Sequence, residues 1–298
     1  MALQYIEDPS LPELKFVSIC PGIQFAIVRI TSDHWPYVSF KRGDDFLLIN
    51  YCREGRCEVE LDDNSNICLT PDDFCLCTAR KVIRPFYFPT DSYTGIEISV
   101  DLSLFRDGTY SILGSSLDSI SNIPEKFLLD ERTYVSRAST EIRNIMTDLF
   151  SSALCDDLLF LKTHLIRLLL TFATKDRMSD SYLRTAYPKS RGKIAKEVTA
   201  IVNEDLSKHI PISELSDRFG VSESTLKNVF RSVYGQNYSD YVRSLRIKAS
   251  MTELEFSDKS ISDIAASVGY ENQGKFASAF KKVNGITPLQ YRHLHSQK

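Results

Sequence analysis

Between Ile261 and Lys282 two runs of helical apolar spacing are separated by a turn that opens on Gly269, and that pattern admits few folds. Ile261, Ile264, Ala265 and Val268 recur at i, i+3, i+4 and i+7, the period of a helix that buries one face. Gly269 follows the last apolar position, where a chain leaves a helix most easily through a left-handed residue. Asn272 can cap a second helix with its side-chain oxygen. On that helix Phe276, Ala279, Phe280 and Val283 share one side, and Gln273, Gly274, Ala277, Ser278 and Lys281 share the other. Small Ala265 permits a close crossing. Two short helices meeting at such a turn form a helix-turn-helix, whose second helix offers its outer face to the major groove of DNA.

The run Ile264-Ala265, Val268-Gly269-Tyr270, Phe276, Phe280-Lys281-Lys282, Gly285, Thr287-Pro288 and Tyr291-Arg292 resembles the C-terminal signature of AraC/XylS-family transcription regulators. The resemblance extends over about a third of the chain, from about Lys193 onward. It implies an all-α domain of two helix-turn-helix modules joined by a long helix, with double-stranded DNA as its partner. The residues upstream suit a first, more degenerate module. Pro211 and Ser213 open a helix carrying Leu215 and Phe219, and Gly220 closes it. Ser222 caps the next, where Leu226, Val229, Phe230 and Val233 form the buried side. Ser216 and Ser250 stand where the family usually has alanine; both are small enough for close packing. The connecting helix, expected from about Tyr238 to Phe256, spans about 28 Å at 1.5 Å per residue. Successive major-groove faces on one side of B-DNA recur about every 34 Å, so this helix can set two recognition helices into adjacent grooves.

The expected DNA-contacting residues are Ser224, Lys227, Asn228 and Arg231 in the first module and Gln273, Gly274, Ser278 and Lys281 in the second. Asparagine suits adenine; arginine suits guanine or phosphate; Gln273 is the best placed base reader. Gly274 and Lys275 depart from the small-polar and aromatic pair common in the family at these positions. The glycine weakens the helix by up to about 1 kcal/mol and would permit close backbone approach.

Charge alone would not suggest nucleic acid, because the formal net charge is −3. It is uneven, however: residues 193–298 hold 15 Lys+Arg against 12 Asp+Glu, a net +3, and residues 1–192 hold 21 against 27, a net −6. The stretch Met1 to Leu14 is acidic and broken by Pro9 and Pro12, unlike a signal peptide, and no apolar run reaches membrane-spanning length. All seven cysteines, an odd number, precede residue 193, which suits reduced thiols in the cytoplasm.

From Leu14 to Val100 short apolar or alternating runs are separated by turns at Glu54-Gly55, Asp62 to Asn66 and Pro71-Asp72-Asp73. That spacing favours a small barrel or sandwich. The order Gly55-Arg56, Leu69-Thr70-Pro71-Asp72-Asp73 resembles the cupin-like barrel many family members carry at the N-terminus. Metal-holding cupins cluster histidines, whereas the barrel region here has only His34, so no metal and no cofactor are expected. Cys75 and Cys77 share a strand face and could ligate a soft metal; as buried thiols they are ordinary small apolar groups. Trp35, Tyr37, Tyr51, Phe86, Tyr87 and Tyr93 could line a pocket for a small-molecule effector, or could simply be core.

Beyond Asp101 the pattern turns helical. Asp130 to Leu154 reads as one helix, and a second begins near Asp156-Asp157. In the second, Leu158, Leu161, Leu165, Leu168 and Phe172 form one apolar stripe, and Leu159, Ile166, Leu169 and Leu170 another beside it. One stripe can cover the barrel; the other needs a partner, and of two readings, a homodimer seam along Leu161, Leu165, Leu168 and Phe172 or a fully internal helix, the seam is the one expected. The expected architecture is therefore α+β and multidomain. A cupin-like effector-binding and dimerisation domain (1–175) leads through a linker (176–192) to the two-module DNA-binding domain (193–298). The function this implies is a cytoplasmic, ligand-responsive transcription activator, not an enzyme, that would also touch RNA polymerase. Two alternatives are a barrel that docks a protein partner and a cupin-type enzyme fused to a DNA-binding tail.

Overall fold

The computed structural model describes residues 5–7, 14–31, 45–60, 65–78, 87–90, 92–110, 115–129, 133–155, 157–177 and 187–295. The chain divides into two compact units, Met1–Lys189 and Ser190–Lys298.

The first unit is built on β-strands. Seven of them, β1 (Tyr5–Glu7), β2 (Leu14–Cys20), β3 (Ile23–Ile30), β4 (Phe46–Glu54), β7 (Asp73–Thr78), β8 (Tyr93–Asp101) and β9 (Thr133–Arg137), form an antiparallel sheet. Its order is β1-β2-β3-β8-β4-β7-β9. A second sheet has the order β10-β6-β5, from β5 (Cys57–Glu60), β6 (Ser65–Leu69) and β10 (Tyr187–Pro188). Among the described residues these sheets do not close into one barrel.

Period-two alternation sorts side chains to the two faces of the large sheet. Leu47, Ile49 and Tyr51 of β4, with Ile96, Ile98 and Val100 of β8, enter the larger core, which they share with helices. Those helices are α1 (Ser103–Arg106), α2 (Ile123–Phe127), α3 (Thr140–Leu154) and α4 (Leu158–Thr174), with a 3-10 turn at Ser115–Asn122. On the opposite face Ala26, Val28, Cys52, Cys75 and Tyr93 join Cys57, Ile67 and Leu69 of the smaller sheet in a second core. Tyr51 and Tyr93 therefore line opposite faces and cannot share one pocket; Trp35, Tyr37, Phe86 and His34 lie outside the described residues. The buried thiols, Cys52, Cys57, Cys68 and Cys75, are packing groups. Burial pushes Cys57 up and Cys68 to about 12, and a hydrogen bond with Cys77, then burial, raises Cys75. Protonated thiols of this kind are poor nucleophiles and poor ligands.

Residues 133–137 form an edge strand, with Cys77 opposite Thr133, instead of the first turns of a helix. The helix starts only at Thr140, where the Ser139 side chain accepts from the Ile142 amide. Residues 187–192 are not extended linker. Tyr187 and Pro188 pair with β6, the Tyr187 hydroxyl donates to buried Glu58 at 2.7 Å, and α5 (Lys189–Glu204) follows directly. Finally, Leu161, Leu165, Leu168 and Phe172 are not a surface seam: each is at most 1% exposed within a single chain. The Phe172 ring lies 5.3 Å from Phe74 and 5.7 Å from Phe127, so this stripe is the one that covers the sheet. The exposed apolar residues of α4 are Leu159 and Phe160.

The second unit is helical: after α5 come α6 (Ile212–Arg218), α7 (Glu223–Tyr234), α8 (Tyr238–Phe256), α9 (Ile261–Ser267), α10 (Gln273–Asn284) and α11 (Pro288–His295). Helix α8 is the axis, packing on α7, α9, α10 and α11. Phe230 meets Tyr234 at a tilt and Tyr238 and Tyr241 edge-on at one end, and Phe276, Phe280 and Tyr291 cluster at the other. Ser216 and Ser250 are buried, and each hydroxyl donates to a carbonyl one turn back, Ser213 and Ile247. That local bond satisfies the polar group an alanine would not have carried. Val283, expected on the buried side of α10, is 52% exposed; the place beside Phe280 is taken by Tyr291 of α11.

Candidate nucleic-acid interface

Each helix that could enter a groove is started by a side chain. Ser222 accepts from the Thr225 amide at 3.1 Å to open α7, and Asn272 accepts from the Lys275 amide at 2.8 Å to open α10. Ser260 does the same for α9 through the Asp263 amide. Such caps contribute about 1 kcal/mol each and fix where the recognition helices begin. The inner faces are then committed to the core: Leu226, Val229, Phe230 and Val233 in α7, Phe276 and Phe280 in α10. The helix preceding each turn supplies the other wall, Leu215 and Ser216 from α6, Ile264 and Ala265 from α9.

With the inner faces fixed, the outer ones follow. Ser224, Lys227, Asn228 and Arg231 are all exposed on α7, as are Gln273, Gly274, Ser278 and Lys281 on α10. The two quartets lie in one compact unit, on helices joined by the 19-residue α8, about 28 Å long. The eight are not electrostatically equivalent. Lys227 is paired with Glu223 at 2.9 Å across one helical turn, and the Ser224 hydroxyl meets that of Ser222 at 2.8 Å. Arg231 and Lys281, by contrast, have no side-chain partner among the described residues. Lys275 pairs with Glu271 at 2.7 Å, and that hydrogen bond, with the ammonium charge, holds the Glu271 carboxyl below its usual range. Lys282, exposed beside Lys281 in the last turn of α10, is a further cation that sequence analysis did not single out. Its adjacency to Lys281 was the available signal.

Gly274 has no steric reason to be glycine within the chain. A Cβ there would meet only the Asn272 Oδ1 at 3.5 Å, ordinary contact. Gly269 is the opposite case, with φ at +81° and a Cβ position 2.6 Å from the Leu206 carbonyl oxygen.

A family model for a helix-turn-helix domain matches residues 215–293, covering both modules. Regulatory protein SoxS of Escherichia coli (strain K12) is 32% identical over 104 residues, 35% of this chain and 97% of SoxS. The HTH-type transcriptional activator RhaR of Escherichia coli (strain K12 / MC4100 / BW2952) is 30% identical over 111 residues, 37% of this chain and 39% of RhaR. Among solved structures, the C-terminal domain of the two-component response regulator yesN from Fusobacterium nucleatum is 31% identical, covers 33% of this chain and 97% of that one, and gives a TM-score of 0.31. Two capped recognition helices on a shared axis, with almost the whole of SoxS aligned to the unit that carries them, identify the chain as a DNA-binding transcription regulator of the AraC family.

Proposed function

We propose that this regulator is an effector-responsive activator that binds as a homodimer in the cytoplasm, each chain placing α7 and α10 into adjacent major grooves on one face of the duplex. The observation that carries the two-groove reading is the exposure of both quartets in one unit, separated by a helix whose length approaches the groove repeat. Activation is supported by the naming of RhaR as an activator, and it would require contact with RNA polymerase. The N-terminal unit would answer to a small molecule held in a cupin-like fold. Helix α4 would supply the dimer contact through its outward face at Leu159 and Phe160. The segment 190–298 holds both recognition helices, and it is expected to bind DNA without the N-terminal unit. Its footprint should cover two adjacent major grooves on one face; protection of a single groove would overturn the two-groove reading.

Within that footprint base reading and backbone holding separate. Gln273 opens α10, where side chains reach base edges most directly. Gln273→Ala should lose discrimination at one base pair, by about 1–3 kcal/mol, with non-specific binding nearly unchanged. Lys281 lies two turns further along, unpaired and better placed for a phosphate. Lys281→Ala should weaken every sequence alike and lower the salt slope by about one unit. Affinities for single-base variants of a selected site, at several salt concentrations, give both answers; uniform weakening by Gln273→Ala would make it a positioning residue instead.

A further inference from the structure

Helix α8 packs on α7 of the first module and on α9, α10 and α11 of the second, so each module is seated on it by its own core. A second connection exists at its middle. Arg246 sends Nη1 to the Gly269 carbonyl at 3.0 Å, in the turn of the second module. It sends Nη2 to the Lys208 carbonyl at 3.0 Å, in the segment leading into α6 of the first. Tyr238 holds that same segment, its hydroxyl donating to the Ile210 carbonyl at 2.8 Å. The backbones themselves touch, since a Cβ on Gly269 would lie 2.6 Å from the Leu206 carbonyl oxygen and 2.7 Å from the Arg246 guanidinium. The Arg246 Nε is buried. Among the described residues that Nε has no partner, while both terminal nitrogens of the half-buried side chain are committed to backbone carbonyls, unlike those of Arg231.

We propose that Arg246 is a positioning residue that fixes the separation and rotational phase of α7 and α10, and through them the spacing between the two base-contacting blocks of the operator. The proposal rests on the two-groove reading. One guanidinium plane that donates to a carbonyl on each side favours the mutual arrangement in which both charge-assisted bonds form. An added base pair moves one block by about 3.4 Å and about 34°, beyond what such a bridge can follow.

The test selects duplexes from a random-sequence library with the full chain, then measures affinity for the selected site with one base pair inserted or removed between blocks. Wild-type protein should select two blocks at one separation and lose about tenfold or more on either altered spacer. Arg246→Met, which keeps the apolar stem, should select the same two blocks at mixed separations and lose less than about threefold on the altered spacers. A loss equal on every spacer, with the spacer penalty intact, marks Arg246 as a plain stabiliser and overturns the proposal. If Arg246→Met fails to fold by its melting curve, Arg246→Lys, which keeps a donor, takes its place. An intermediate penalty then supports the proposal, and a wild-type penalty overturns it. A single block selected by the wild-type chain would bring down the two-groove reading and the proposal with it, whereas two blocks with an unaltered penalty in the variants overturn the proposal alone.

Discussion

Leu165→Ala is expected to destabilise the N-terminal unit by about 2–5 kcal/mol, without turning a dimer into a folded monomer. Leu165 is 1% exposed, between Leu161 and Leu168 at 0% on the same face of α4. That face, whose Phe172 ring lies against Phe74 and Phe127, shares its core with the large sheet, so truncation leaves a cavity its neighbours cannot refill. Since a whole domain is stable by about 5–15 kcal/mol, a second truncation at Leu161 should leave the unit largely unfolded. The contrasting pair is Leu159→Lys with Phe160→Lys. These side chains are 72% and 57% exposed, and substitution there should change the melting curve little. If they carry the proposed dimer contact, the same pair should yield monomer. Melting curves and sedimentation on both variants decide the matter. A Leu165→Ala chain that melts like its parent and sediments as monomer would show that the buried stripe is the seam after all.

The contrast between α4 and α10 shows which information a sequence holds locally. In α10 the apolar residues occupy one arc, and Phe276 and Phe280 could face only the preceding helix; the turn, the cap at Asn272 and the outward quartet all followed from residues within two dozen positions. In α4 apolar residues surround most of the axis, so spacing could say that the helix is covered but not which stripe the sheet covers. The choice is made by side chains far away, Phe74 and Phe127 among them. Residues 133–138 were ambiguous for a related reason. Val135 and Ala138 satisfy a helical period, while Thr133, Tyr134 and Val135 are also strand formers, and the free edge of β7 decided between them. Val283 failed at the edge of its own arc, displaced by a tyrosine eight residues on.

Arg246 lay beyond sequence reasoning altogether. Nothing local distinguishes it from the other basic residues of α8, and its two acceptors are backbone carbonyls 23 and 38 residues away. Main-chain acceptors leave no trace in residue identity. The only hint was at the receiving end, where Gly269 is required both by its left-handed φ and by the closeness of Leu206.

That double requirement gives the second large effect, and its control lies 16 residues further along the same unit. Gly269 and Gly285 both follow helices in left-handed conformation, at φ +81° and +77°. At Gly285 a Cβ would meet nothing within 4 Å; at Gly269 it would lie 2.6 Å from the Leu206 carbonyl oxygen. Gly285→Ala should therefore cost only the left-handed penalty, about 1–2 kcal/mol, reduced by the smaller entropy of an unfolded alanine. Gly269→Ala carries that penalty together with overlap against backbone that cannot swing aside, about 1–3 kcal/mol more. A total of about 2–5 kcal/mol is enough to lower the melting midpoint of a unit this size by well over ten degrees at the upper end. Denaturant melts of the two variants isolate the overlap as the difference between them, since conformation is common to both. Equal costs would mean that the turn of the second module does not rest on the segment before α6 in solution. Unequal costs leave a further question that a double-mutant cycle answers. Arg246 touches Gly269 directly, so Gly269→Ala and Arg246→Met should be non-additive, whereas Gly285→Ala and Arg246→Met share no contact and should add within about 0.5 kcal/mol.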